Sequence, residues 1–247
     1  MLTKRQLREI HSEDVPLHIL ELDYTQSIML KHIFMKNDDL IFKGGTCLRK
    51  VHGLNRFSED LDFNIVKGDP RTILEEGMKG LRRTGIEADI SYFDDRKDFV
   101  LAKTRYEGPL YSGSELSKGS LQIDISKYKV HQEPSWNTII EEYSDIGTYS
   151  ILSMQEEEIL AEKFRSLVQR SVPRDLYDIW FLLEKGVDLD TGMLDDKFEE
   201  LDMKSKDPLK TIDDYDVTDT EWERDLENLI NRVPTKKKII DDIRSHL

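Results

Sequence analysis

Asp60 and Asp62 stand one residue apart in Ser58-Glu59-Asp60-Leu61-Asp62-Phe63. On an extended strand alternate residues share a face, so both carboxylates point one way while Leu61 and Phe63 point the other. Two adjacent carboxylates repel unless a cation lies between them. Oxygen donors of this kind suit Mg²⁺ (or Mn²⁺), with water and phosphate oxygens completing the shell. The plain alternative is a pair of solvent-facing acids at a strand start. Asp124 is the third candidate. It interrupts the apolar run Leu121-Gln122-Ile123-Asp124-Ile125, and a buried carboxylate is costly without a cation or donors. Beside Asp60 and Asp62 it completes a three-carboxylate metal site; on an edge strand it is an ordinary exposed acid.

Gly44-Gly45 follows the apolar triplet Leu40-Ile41-Phe42 and precedes Thr46. A backbone without side chains can approach phosphate closely, and a helix N-terminus favours anions. The alternative is an ordinary strand-to-helix turn. Lys163 is an anomaly of another kind: it lies inside the helical stripe of Ile159, Leu160, Phe164 and Leu167. Its ammonium either reaches a triphosphate or snorkels outward with its stem on the stripe. Asp175 borders an apolar face through Ile179 and Leu182, and Asp178 follows it. Arg174-Asp175 also reads as a charge pair in a first helical turn. The six histidines lack metal-ligand spacing. Cys47 is expected to be a small buried residue, and Trp136, Trp180 and Trp222 are expected in the core.

The elements that must position these residues follow from apolar periodicity and breakers. Leu2 to His11 and Val15 to Met35 read as helices. Leu40 to Phe42 is a short buried strand, Thr46 to His52 a helix ended by Gly53, and Leu61 to Val66 a second strand. Arg71 to Arg83 reads as a helix weakened by its glycines. Ile86 to Phe93, Phe99 to Tyr106 and Ser120 to Ser126 are strand candidates, the last two joined by a long loop over Glu107 to Gly119. After Tyr149 the character changes. Gln155 to Arg170 and Pro173 to Lys185 are helices, with Pro173 suited to a helix start. Val187 to Thr220 is acidic and poor in apolar residues, so it is either loosely ordered or caps the helices. Trp222 to Ile230 and Lys236 to Ile243 close the chain as helices. The reading is α+β, with a mixed-sheet core plus N-terminal helices over 1–150 and a C-terminal helical domain over 151–247.

Composition narrows the function classes. The 247 residues are 38% hydrophobic, enough for one large domain or a core with an appendage. A net charge of −14 argues against a protein that coats nucleic acid non-specifically, though not against a local basic patch. A single cysteine excludes an internal disulfide and a Cys-rich zinc site, and suits a reducing cytoplasm. No segment has the apolar length to span a bilayer, so a cytoplasmic location without membrane contact is expected.

Four blocks together resemble the AbiEii/AbiGii toxin family of nucleotidyltransferases, a branch of the DNA polymerase β superfamily. They are Phe42-Lys43-Gly44-Gly45-Thr46-Cys47-Leu48-Arg49-Lys50, Arg56-Phe57-Ser58-Glu59-Asp60-Leu61-Asp62-Phe63, Glu158-Ile159-Leu160-Ala161-Glu162-Lys163-Phe164 and Pro173-Arg174-Asp175-Leu176-Tyr177-Asp178-Ile179. The resemblance covers about Leu20 to Lys185. It implies a polymerase β-like core and a helical domain with a cleft between them, and transfer of a nucleotide from an NTP to an acceptor. It also implies tRNA or another RNA as acceptor, and an antitoxin partner. By position, Gly44, Gly45 and Thr46 would lie at the phosphates. Ser58, Asp60 and Asp62 would form the metal and nucleotide site with Asp124. Lys163 would match the conserved lysine, and Asp175 or Asp178 the late acidic motif. Two other readings stay open: a module of this fold that binds NTP or a partner without turnover, and nucleotidyl transfer to a small molecule or protein. Lys163→Met is expected to impair NTP use with stability little changed or improved. Asp60→Ala is expected to abolish transfer while the fold survives, because removing one of two repelling carboxylates does not weaken the metal-free protein. Unchanged turnover, measured beside an unchanged circular dichroism spectrum, would remove Asp60 from the site.

Overall fold

The computed structural model describes residues 1–11 and 15–247. The chain divides into two compact units: one of residues 1–53, 57–130 and 134–153, the other of 54–56, 131–133 and 154–247.

The first unit opens with α1 (Lys4–Ile10) and α2 (Leu17–Phe34), then β1 (Leu40–Lys43), α3 (Gly44–Lys50), β2 (Leu61–Ile65) and α4 (Pro70–Arg83). It continues with β3 (Glu87–Asp95), β4 (Phe99–Glu107), β5 (Gly119–Ser126), β6 (Ser135–Ile140) and β7 (Thr148–Ser153). The seven strands form one mixed sheet in the order β3-β4-β5-β2-β1-β7-β6. β2 runs parallel to β5 and β1 parallel to β7, while the other neighbours are antiparallel. One sheet face carries Phe42, Leu61, Phe63, Val100, Ala102, Leu121, Ile123 and Ile125, all essentially sealed. α2 and α4 pack with each other and against the sheet. The glycines of α4 that look weak in sequence have a packing reason. A Cβ on Gly77 would stand 2.6 Å from Met29 Cγ, and one on Gly80 only 2.3 Å from His32 Cγ. Side chains there would push the two helices apart.

α2 is buried on nearly every side, including Glu21, Asp23, Thr25, Gln26 and Ser27. A charge in that position needs partners, and Asp23 has three. It accepts from Arg49 Nε at 3.0 Å, Lys50 Nζ at 2.7 Å and Tyr143 Oη at 2.6 Å. Burial pushes its carboxyl up, but the two cations outweigh burial and hold it below the usual carboxylate range. The end of α3 is thereby tied to α2.

The second unit holds α5 (Glu156–Arg170), α6 (Pro173–Glu184), α7 (Thr191–Glu199), α8 (Pro208–Asp213), α9 (Asp219–Leu226) and α10 (Lys236–His246). α5 and α6 pack together; α7 and α8 lie on α5, and α9 and α10 on α6. The acidic segment carries two short helices, α7 and α8, joined by irregular stretches. Met193, Leu194, Phe198 and Ile212 are its buried anchors, while Leu209 stays exposed. Several of its polar residues are caps: Asp190 accepts from Met193 N, Asp207 from Lys210 N, and Thr218 forms a capping box with Glu221.

Two expectations change. β6 and β7 fall where no strand was expected, because short runs of Ser, Thr, Asn and Ile carry little alternation in themselves. Trp136 is also outside the core. It is 54% exposed on β6, whereas Trp222 is sealed. Among the described residues no helix is long and apolar enough to cross a membrane.

Candidate active site

In the first unit the site is built on pairing register. β2 and β5 align Leu61 with Ile123, Asp62 with Asp124 and Phe63 with Ile125. Leu61, Phe63, Ile123 and Ile125 are sealed on the helix-covered side. Asp62 and Asp124 therefore stand side by side on the opposite face, both half-buried. Gln122 Nε2 donates to Asp124 Oδ2 at 2.9 Å. Asp60 lies in the irregular stretch just before β2. Thr46 is buried, and its hydroxyl donates to the Asp60 carbonyl, tying the start of α3 to that stretch. The Ser58 carbonyl accepts from Gln26 Nε2 at 3.0 Å, which fixes the same stretch to α2.

Gly44 has a stringent role. Its φ is +74°, and a Cβ there would stand 2.2 Å from Asp62 Oδ2. The Asp62 carboxylate thus occupies the space a side chain at position 44 would need. Gly45 is buried behind it. Lys43 is the residue whose role sequence reasoning missed, although it lies inside a quoted motif. It pairs directly with Asp62 across β1 and β2 and is largely buried. Opposed residues of an antiparallel pair share a face, so Lys43, Asp62 and Asp124 form a row of one cation and two anions. The signal was available: Phe42 and Lys43 alternate as Phe63 and Asp62 do.

Among the described residues no group of three or more His, Cys, Asp or Glu side chains forms a metal-holding arrangement. Asp60, Asp62 and Asp124 are therefore not a ready-made three-carboxylate cage. Mg²⁺ does not require one, since one or two carboxylates with phosphate oxygens and water complete its shell. The oxygen chemistry and the register of Asp62 and Asp124 fit such an ion.

In the second unit Lys163, Asp175 and Asp178 come together. Lys163 Nζ lies 3.0 Å from Asp175 Oδ1 and 2.7 Å from Asp178 Oδ2. Arg56 grips both oxygens of Asp178, from Nε at 2.7 Å and Nη2 at 2.6 Å. Arg170 grips Asp175 in the same fork. Five alternating charges thus form a chain, with both carboxylates fully buried. Burial pushes the Asp175 carboxyl up, but Lys163 and Arg170 outweigh it and bring it down to about 2. Burial pulls Lys163 down, and its two carboxylates more than restore it. Lys163 does not snorkel outward, so in place of little change or improvement Lys163→Met is expected to cost stability: it takes one of two cations from each buried carboxylate, leaving Arg56 on Asp178 and Arg170 on Asp175.

A family model described as "Nucleotidyl transferase AbiEii toxin, Type IV TA system" matches residues 30–244. No curated protein matches the chain. Among solved structures the fold is similar to that of MenT4, a nucleotidyltransferase toxin from Mycobacterium tuberculosis. The TM-score is 0.73 at 18% identity, over 100% of this chain and 88% of that one. It is also similar to JHP933 from Helicobacter pylori, with a TM-score of 0.63 at 19% identity, over 94% of this chain and 91% of that one. These likenesses identify the fold as that of nucleotidyltransferase toxin structures, a mixed sheet with flanking helices and C-terminal helices.

Three outcomes follow from this geometry. Lys163→Met should cost about 1.5–3 kcal/mol in denaturant unfolding at pH 7, the loss of charged hydrogen bonds rather than of the whole ion-pair chain. Because the folded Asp175 carboxyl titrates below its unfolded value, its contribution is full above pH 4 and fades as pH falls toward 2. The stability gap between the parent and Asp175→Asn should therefore shrink over that window, and a constant gap would contradict the ion-pair account. Gly44→Ala should cost more than Gly53→Ala. Both positions have positive φ, worth about 1–2 kcal/mol of strain, but a Cβ at Gly53 meets nothing within 4 Å. Equal melting temperatures for the two variants would exclude the contact with Asp62.

Proposed function

The chain belongs to the AbiEii nucleotidyl transferase toxin family, and from that premise we propose that it transfers a nucleotide from a metal-bound NTP to the end of an RNA, with tRNA as the acceptor class. The observation that carries this reading is the register of Asp62 with Asp124 on one sheet face, beside the Gly44 backbone.

Asp62 and Asp124 would hold Mg²⁺ or Mn²⁺, with Asp60 contributing from the adjoining stretch. When bound, the ion would neutralise charge on the triphosphate and lower the pKa of the acceptor hydroxyl. The chain's own residues have separable tasks. Gly44 and Gly45 offer backbone that phosphate can approach closely. Thr46 steadies the Asp60 carbonyl, and Ser58 follows in the same nucleotide-binding stretch. Lys43 balances the carboxylates and presents a cation toward phosphate. Lys163 has three N–H groups. Asp175 and Asp178 take two, fixing the ammonium's direction within the second unit. The family description as a type IV toxin–antitoxin component supports a toxin role with a cognate antitoxin as counterpart.

A binding module without turnover is the competing reading, and it draws on the lack of a three-ligand metal group among the described residues. Incubation with Mg²⁺ or Mn²⁺, each α-labelled NTP in turn, and total RNA separates the two. Label is expected in RNA, from one preferred NTP, and Asp62→Asn should reduce it by about a hundredfold or more. NTP binding by calorimetry without label in RNA, protein or small-molecule fractions would select the binding module. Label appearing only in a protein or small-molecule fraction would move the acceptor there.

A further inference from the structure

The two edges of the sheet are treated differently. β3, at one end, carries Glu87, Asp89, Asp94 and Asp95 and has a register shift between Ile90 and Tyr92. Charges and bulges are how natural sheets keep an edge from pairing with another chain. β6, at the other end, is Ser135-Trp136-Asn137-Thr138-Ile139-Ile140. It has no charge, proline, glycine or register shift, in a chain where 35% of residues are charged. Trp136 is 54% exposed and Ile140 81% exposed, and Thr138 between them is exposed too. Ile139, on the other face, is buried. β6 is thus an unguarded edge with an aromatic and a β-branched side chain on its open face.

We propose that β6 pairs with β6 of a second copy of this chain, antiparallel about a two-fold axis, joining two seven-stranded sheets. Sheet geometry restricts the register. Opposed residues must share a face, so a residue of the Trp136, Thr138, Ile140 set can meet only that set. A two-fold axis at Thr138 sets Trp136 against Ile140 of the partner subunit and Thr138 against its own copy. The outcome is two aromatic–β-branched cross-strand pairs flanking a Thr–Thr pair, all favourable combinations. The strand is self-complementary, as a two-fold interface requires. Charge favours a second copy in another way. Each copy carries −14, so two copies repel over most of their surfaces and can approach closely only where neither bears charge. A six-residue strand is a small interface next to the ~1,200 Å² or more of a stable complex, so the dimer is weak and concentration-dependent.

Sedimentation velocity on the full chain, from about 1 µM to several hundred µM, tests this; over that range a weak complex with a micromolar Kd changes from dissociated to assembled. A monomer–dimer equilibrium is expected, with a blue shift of Trp136 emission on association that Trp136→Phe removes. Ile140→Lys and Trp136→Glu should each weaken the dimer at least about tenfold. In the double variant W136E/I140K the opposed residues have opposite charges in the proposed register, so association should recover. All three changes are at exposed positions, and circular dichroism verifies the fold. A parent that stays monomeric throughout, a dimer indifferent to both single changes, or a double variant weaker than either single one would each overturn the proposal.

Discussion

The parallel pairing of β2 with β5 is the constraint on which the rest of the first unit depends. Strand side chains alternate with a period of two, so one register decides both faces at once. With Asp62 opposite Asp124, the apolar residues Leu61, Phe63, Ile123 and Ile125 all face the helices. A slip of β2 by one residue would turn the Asp62 carboxylate into the core and expose Leu61 and Phe63. Carboxylate burial costs several kcal/mol per ion, and lost apolar burial costs about 1.5–3 kcal/mol per side chain. The core therefore holds the acids in place, and the acids need no mutual attraction to stay together.

The surroundings of that pair are equally specified. Gly44 leaves room for the Asp62 carboxylate, and Lys43 opposes it across the strand pair. α3 starts at that point and ends in Arg49 and Lys50, both on the buried Asp23. A short helix with little stability of its own is thus held at one end by packing and at the other by charge. Glycines 77 and 80 let α4 approach α2 closely, which keeps the covered sheet face sealed.

The second unit solves a different problem. Its buried charges are numerous, and each is paired. Lys163 has Asp175 and Asp178, Arg56 and Arg170 grip the same two carboxylates, and Lys197 has Glu158 at 2.7 Å. Such pairs gain little over apolar packing but are costly to break, so they favour one arrangement of α5 and α6 over alternatives of similar apolar burial. Positioned ammonium and carboxylate groups are the consequence, whatever ligand they serve.

Much of this was legible in the residues themselves. The Asp60-x-Asp62 alternation, the charge inside Leu121–Ile125, the paired glycines after an apolar strand and the helical stripes of α5 and α6 are local patterns, because strand and helix periods are local properties. The family followed from those blocks in order. Tertiary structure decided what depends on partners distant in the chain. It set the strand order and so the neighbour of Asp62, it made Lys43 part of the row, and it turned Lys163 from an anomaly in an apolar stripe into the centre of an ion-pair chain. It gave the acidic segment its helices by burying a few widely spaced apolar residues, and left Trp136 on an open edge. Sequence spacing determines which face a side chain takes, but only packing determines what lies opposite that face.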